Sequence, residues 1–332
     1  MISLRLRSVA VVAAIAISLS ACGGGGDGDD SGGDAASPTT SKPSATGDSG
    51  DVGATTETTE TTETTLPRPP VDQSAPDSIN GLTVDGDTLW IASIGDDTVF
   101  QVSRDDGTIL GRYPAGGAGP DDVAVAPDGT VYSTGYLNGD VGKIVDGKYS
   151  VLVTLKAGIN PITVGDDGSI WIGELADGGS ITRVDPDGTT EVVATGIPVI
   201  NAFALDAQGR ILAPAGGLQA GEVGGTIIRI DPADGSITTV ADGLPPVLAS
   251  AADPDGNYLA LANVSGQILA VDPEAGTFEV LHTVTDGAPF DNIDVAPDGT
   301  IYLSSFVAPT VTEVKPDGTI RVINVGHIAV GG

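Results

Sequence analysis

Cysteine is nearly absent from this 332-residue chain: Cys22 stands alone, so no disulfide can form within one molecule. Histidine is almost as scarce, and the two present, His282 in an outer-strand alternation and His327 in the tail, argue against a His-dyad hydrolase or a His-based lyase. GxSxG, HExxH, P-loop, CxxCH and zinc-type spacings do not occur. Basic residues are few and scattered, 14 Lys plus Arg against 45 Asp plus Glu, a net charge of −31, which disfavours nucleic acid and anionic membrane surfaces as partners. Long hydrophobic runs are also missing. Residues 9–19 form an apolar stretch too short to span a bilayer.

That stretch follows Arg5 and Arg7 and closes on Leu19-Ser20-Ala21-Cys22, the pattern of a secretory signal. Its ending resembles a bacterial lipobox, in which the Cys is acylated and becomes the mature N-terminus. Residues 1–21 are therefore expected to be a lipoprotein signal peptide and Cys22 the lipidated residue. This places the protein in a bacterial cell envelope, on the outer face of the cytoplasmic membrane or in the outer membrane, with no other membrane contact. Residues 22–75 are rich in Gly, Asp, Ser, Thr and Pro, with TTETTETTETT at 55–65, and cannot bury enough surface to order themselves. They read as a disordered tether with an r.m.s. span on the order of 40 Å.

From residue 76 to 332 the chain reads as one globular domain built on a repeat. FDNIDVAPDGTIYLSS (290–305) has counterparts in GPDDVAVAPDGTVYSTG (119–135), INPITVGDDGSIWIGE (159–174), INAFALDAQGRILAPA (200–215), LASAADPDGNYLALA (248–262) and INGLTVDGDTLWIAS (79–93). Each is a period-two alternation, a Gly turn and a second alternation, which is a β-hairpin. Aligned apolar pairs are 42, 39, 41, 47 and 43 residues apart, the period of a four-stranded propeller blade. Every repeat carries two X-Gly turns, all Asp-Gly except Gln208-Gly209 and Ala275-Gly276. The expectation is an all-β, six-bladed β-propeller with strands A to D in each blade, folding as a monomer. Short A–B and C–D turns occupy one end, so the irregular B–C and D–A loops, where a site belongs, occupy the other.

Four residues before the end of each A strand lies one column: Asn80, Asp121, Asn160, Asn201, Leu248 and Asp291. A strands are innermost in a propeller, so these side chains can converge on the axis. A ring of amide and carboxylate oxygens suits a hard cation such as Ca²⁺, with Asp122 and Asn292 one residue on as further donors. Alternatively, Asn and Asp merely favour strand starts as turn formers. Glu174 ends a B strand near Asn160 and is either a spare acid–base or ligand group or a solvated strand end. The column Trp90, Tyr132, Trp171, Leu212, Leu259 and Tyr302 reads as packing between blades.

APDGTVY (126–132), DDGSIWIGE (166–174) and FDNIDVAPDGTIY (290–302) resemble the senescence marker protein / gluconolactonase / luciferin-regenerating family of six-bladed propellers, with NHL-repeat and paraoxonase propellers nearby. The resemblance covers about residues 77–323. It implies an axial divalent cation held by a Glu, two Asn and an Asp, the last also the base in lactone hydrolysis. Asn160 and Asn201 fall in the blades of the two family Asn residues, and Asp291-Asn292 is similar to the Asp-Asn that opens the paraoxonase metal strand. Asn80 stands where the family has Glu, and Leu248 where it has Asp. Two functions follow as expectations. One is a hydrolase of small lactones or esters, with Asp291 or Asp121 as base. The other is a non-catalytic propeller that binds a surface protein or glycan.

Overall fold

The computed structural model describes residues 70–216 and 225–326, and all regular elements in that span are strands. The expected signal, the tether up to residue 69 with Cys22, His327 and most of the loop after residue 215 lie outside the described residues. Blade one consists of β1 (Leu82–Asp85), β2 (Thr88–Ser93), β3 (Thr98–Ser103) and β4 (Ile109–Pro114). Blade two holds β5 (Pro120–Val125), β6 (Val131–Gly135), β7 (Asp140–Val145) and β8 (Lys148–Thr154). Blade three follows with β9 (Ile159–Val164), β10 (Ile170–Glu174), β11 (Gly179–Val184) and β12 (Thr190–Ile197). In blade four they are β13 (Ala204–Leu205), β14 (Ile211–Ala215), β15 (Gly225–Asp231) and β16 (Ser236–Leu244). Blade five has β17 (Ala249–Ala252), β18 (Tyr258–Ala262), β19 (Gln267–Asp272) and β20 (Thr277–Thr283). Blade six closes the series with β21 (Phe290–Val295), β22 (Ile301–Ser305), β23 (Thr310–Val314) and β24 (Ile320–Asn324). Each sheet is antiparallel and built of four consecutive strands, the expected six-bladed propeller.

Turn chemistry sets the hairpins. All twelve X-Gly glycines have positive φ, from 55° at Gly86 to 89° at Gly188, a region open to glycine without steric cost. The preceding Asp does a second job. In the Pro-Asp-Gly-Thr turns, Asp128, Asp187, Asp298 and Asp317 each accept the N–H of the Thr two residues on, at 2.9–3.0 Å. This Asx-type bond fixes the loop and explains the recurring polar residue after Gly.

Six apolar clusters hold the blades together, one at each interface. Trp90 belongs to the cluster between blades one and two, Tyr132 to that between two and three, and Trp171 packs on that between three and four. Leu212, Leu259 and Tyr302 fill the next three in turn. The large-residue column is therefore inter-blade packing. Middle strands are buried on both faces, as in β2, whereas outer strands such as β8 and β20 are exposed or half-buried throughout.

Among the described residues no strand is exchanged to close the ring, and side chains seal the seam between blades six and one. Tyr302 donates to Glu313 Oε2 at 2.9 Å and accepts from Arg104 Nε, while Arg104 also reaches Asp298 at 2.7 Å. Arg321 ties Glu313 Oε2 (2.8 Å) to the carbonyls of Arg104 (3.1 Å) and Asp105. Residues 70–75, six residues ahead of the boundary that composition suggests, lie along β4. The Gln73 amide donates to the Ile109 carbonyl (2.8 Å) and accepts its N–H (2.9 Å), and Arg112 Nε donates to the Asp72 carbonyl (2.9 Å).

Candidate metal site on the propeller axis

A strands touch A strands of the neighbouring blades, so their side chains face a common axis. A regular strand would turn alternate residues away. In β5 and β21 the pairing register shifts, between Pro120 and Asp122 and between Phe290 and Ile293, and such bulges re-aim side chains. As a result Asp121-Asp122 and Asp291-Asn292 send successive side chains inward at two levels.

The outer level joins four of the six column residues. Asn160 Nδ2 donates to Asn201 Oδ1 (2.8 Å), Asn201 Nδ2 to Asp291 Oδ1 (3.4 Å) and Asn80 Nδ2 to Asp291 Oδ2 (3.3 Å). Asn80 Oδ1 takes the Ile94 N–H at 3.2 Å. Leu248, 4% exposed, fills the blade-five position with an apolar side chain. Asp121 completes the level from blade two. It is 6% exposed, and among the described residues no hydrogen bond reaches its carboxylate.

The inner level is an acid–amide clasp. Asn292 Nδ2 donates to Asp122 Oδ1 at 2.8 Å, and the same carboxylate takes the N–H groups of Val123 (2.9 Å) and Ile162 (3.2 Å). Asn292, expected among the ring ligands, thus has its amide on Asp122 instead. Gly81 makes this approach feasible, because a Cβ there would lie 2.4 Å from the Asp122 Cα. Thr134 and Ser304 brace both levels: Thr134 Oγ1 donates to the Asn160 carbonyl (2.6 Å) and Ser304 Oγ to the Asn80 carbonyl (2.7 Å). Sequence reasoning missed this pair. Its signal is a hydroxyl at the fourth residue of strand B in blades two and six, where the other blades carry Ala, Gly, Pro or Leu.

Burial dominates the electrostatics. It raises Asp121 well above the usual carboxylate range, reinforced by the charges of Asp291 and then Asp122. Asp291 is pushed up to about 6 by burial, against the amides of Asn80 and Asn201, which favour its charged form. Asp122 is raised to about 8 by burial, partly opposed by the Val123 and Ile162 N–H groups. Glu174 sits apart, opposite Ile159 in the β9–β10 ladder and 3.5 Å from Lys156 Nζ. His282 is half-buried on β20.

Among the described residues, no three His, Cys, Asp or Glu side chains gather into a metal-holding group. What the axis offers is an oxygen set of two carboxylates and three amides. Such donors fit a hard cation.

A family profile described as "Strictosidine synthase-like, N-terminal" matches residues 112–144, which span the end of β4 to β7. No curated protein matches the chain by sequence. Virginiamycin B lyase from Staphylococcus aureus superimposes with a TM-score of 0.56 at 18% identity, covering 77% of this chain and 86% of that one. A gluconolactonase from Xanthomonas campestris gives 0.57 at 18% identity, covering 76% and 87%. The solved nidogen/laminin complex contains a chain that gives 0.53 at 15% identity, covering 63% and 81%. At these identities the likeness is one of fold, and that fold is the six-bladed propeller.

Proposed function

We propose that the propeller binds one divalent cation, Ca²⁺, on its axis, and uses that site to hydrolyse small lactones or esters. Asp121 carries this reading: a carboxylate of low exposure that faces Asp291 and Asp122, with no hydrogen bond from the described residues, gains from a cation between the like charges. Asp121 and Asp291 supply the charge, and Asn80, Asn160 and Asn201 supply neutral oxygens. A hard dication there polarises a carbonyl and assists ionisation of water.

The residues divide the remaining work. Asn80 and Asn201 hold Asp291 and keep it in its charged form, which suits a ligand. Asp121, which no hydrogen bond from the described residues holds, is the carboxylate placed to take a proton from an attacking water. The likeness to a gluconolactonase supports a hydrolase, while Leu248 in the ring favours the second reading, a non-catalytic module that binds a surface protein or glycan. Lipidation at Cys22 would set either activity at the cell envelope, and Cys22→Ser should then release the protein from the membrane fraction.

Calcium titration by calorimetry, paired with lactone and ester assays in calcium and in chelator, tests the proposal. Binding with calcium-dependent turnover supports it. Binding without turnover leaves the module, and no calcium binding sinks the metal reading and the hydrolase with it.

A further inference from the structure

The ring is not the roomiest part of the axis. At the opposite end, inside the A–B turns, the inner strands surround a cavity of about 740 Å³. The Asp122–Asn292 clasp closes it toward the ring, so it opens at the turn end. Its size falls within the range of about 300–1,000 Å³ typical of small-molecule sites.

Two features define what could fill it. Its walls are apolar and buried, from Leu82, Val123, Ile162, Phe203 and Ile293. Its mouth carries Asp166, Asp167, Asp206, Asp253 and Asp294, and among the described residues no Lys, Arg or His lines it. Most of these acids are oriented by neutral donors, which leave their charge in place. Asp294 accepts from Thr83 Oγ1 (2.9 Å) and the N–H groups of Val84 and Val295 (2.8 Å each). Asp167 takes the Ser169 N–H (2.9 Å) and Asp253 the Asn257 N–H (2.8 Å). Asp206 is the exception among the described residues, with Arg210 at 2.8 Å and Arg229 at 3.8 Å, and Asp167 feels the charge of Arg183. Low-dielectric walls beneath charges of one sign focus a negative potential into the cavity.

A bare metal ion matches this poorly, because it gains nothing from apolar walls and finds the mouth oxygens already bonded. A neutral apolar molecule leaves the potential unused. We infer that this cavity is a second ligand site, for a small organic ammonium ion whose apolar body meets the walls and whose charge lies at the acidic mouth. Trp171, half-buried in the lining, adds an aromatic neighbour for the cation. The site is separate from the ring and does not depend on calcium.

Choline and its neutral isostere 3,3-dimethylbutan-1-ol, titrated into the full chain by calorimetry, discriminate charge from shape. Choline should bind about tenfold or more tighter than the alcohol and weaken as salt rises. Ala207→Arg places a cation at an exposed position of the lining and should lower choline affinity by about tenfold, leaving the melting curve and calcium response unchanged. Asp166→Lys, at an exposed residue, provides a second charge reversal should the first disturb folding. The inference fails if choline and the alcohol bind alike, if choline shows no binding at about 10 mM, or if a folded charge-reversal variant binds choline unchanged.

Discussion

Replacing Asp121 by Asn should move stability in opposite directions with and without calcium. In chelator the native protein carries the Asp121 carboxylate at low exposure beside Asp291 and Asp122, either as a charge or as a group held protonated far from its usual range. Asn keeps the shape and polarity but not the charge, and relief of that like-charge repulsion is worth about 1–3 kcal/mol. For a domain of this size each kcal/mol moves Tm by about 2–4 °C, so Asp121→Asn should raise the chelated Tm by about 3–10 °C. Calcium at about 100 times its Kd stabilises the wild type by about 2.7 kcal/mol. The variant should lose most of that gain, because a dication then faces Asp291 as the single ring carboxylate. Differential scanning calorimetry of both proteins, with calcium and with EDTA, gives the four values needed. A chelated variant that melts below the chelated wild type would show that Asp121 is not strained. An undiminished calcium gain would show that it is not a ligand.

Gly81→Ala should cost about 1–3 kcal/mol in urea unfolding, because its Cβ meets the Asp122 backbone at 2.4 Å and the clasp must shift; a neutral result would mean that blade one can retreat from the axis. In chelator, stability should rise as pH falls from about 8 toward 5, since burial holds Asp122 near about 8 and Asp291 near about 6, so the folded state binds more protons. Below about pH 4 it should fall again, because turn acids such as Asp298, held at about 2 by Arg104 and the Thr300 N–H, lend stability that vanishes as they protonate; a urea midpoint flat from pH 8 to 3 would contradict both limbs. Gln73→Ala should cost about 1–2 kcal/mol and speed hydrogen exchange at the Ile109 amide, which loses its acceptor; unchanged exchange there would remove the latch role.

The architecture was legible because its signals are local. Asp-Gly turns and period-two alternation recur at one spacing, and the structure adds the reason for the following Thr or Ser, whose N–H the turn Asp takes. The column was legible too, and Asn80, Asn160, Asn201 and Asp291 do meet. What escaped was tertiary. Asp122 and Asn292 were expected as further donors to the ring; that they clasp each other instead is decided by two bulges and by the space left by Gly81, and neither leaves a mark in one sequence. The cavity at the turn end escaped for the same reason, since its acids sit in four separate blades and read singly as hairpin residues.

Because every blade is a continuous stretch of chain, the ends could be moved without cutting a sheet. Joining residue 326 back to residue 70 and opening a D–A loop between two other blades would leave each sheet intact. The seam sealed by Tyr302, Glu313, Arg104 and Arg321 would then become one interface among six, and the new break would inherit the weakest position. Such circular permutants should be the most direct way to learn whether the ring opens at its ends before its blades come apart.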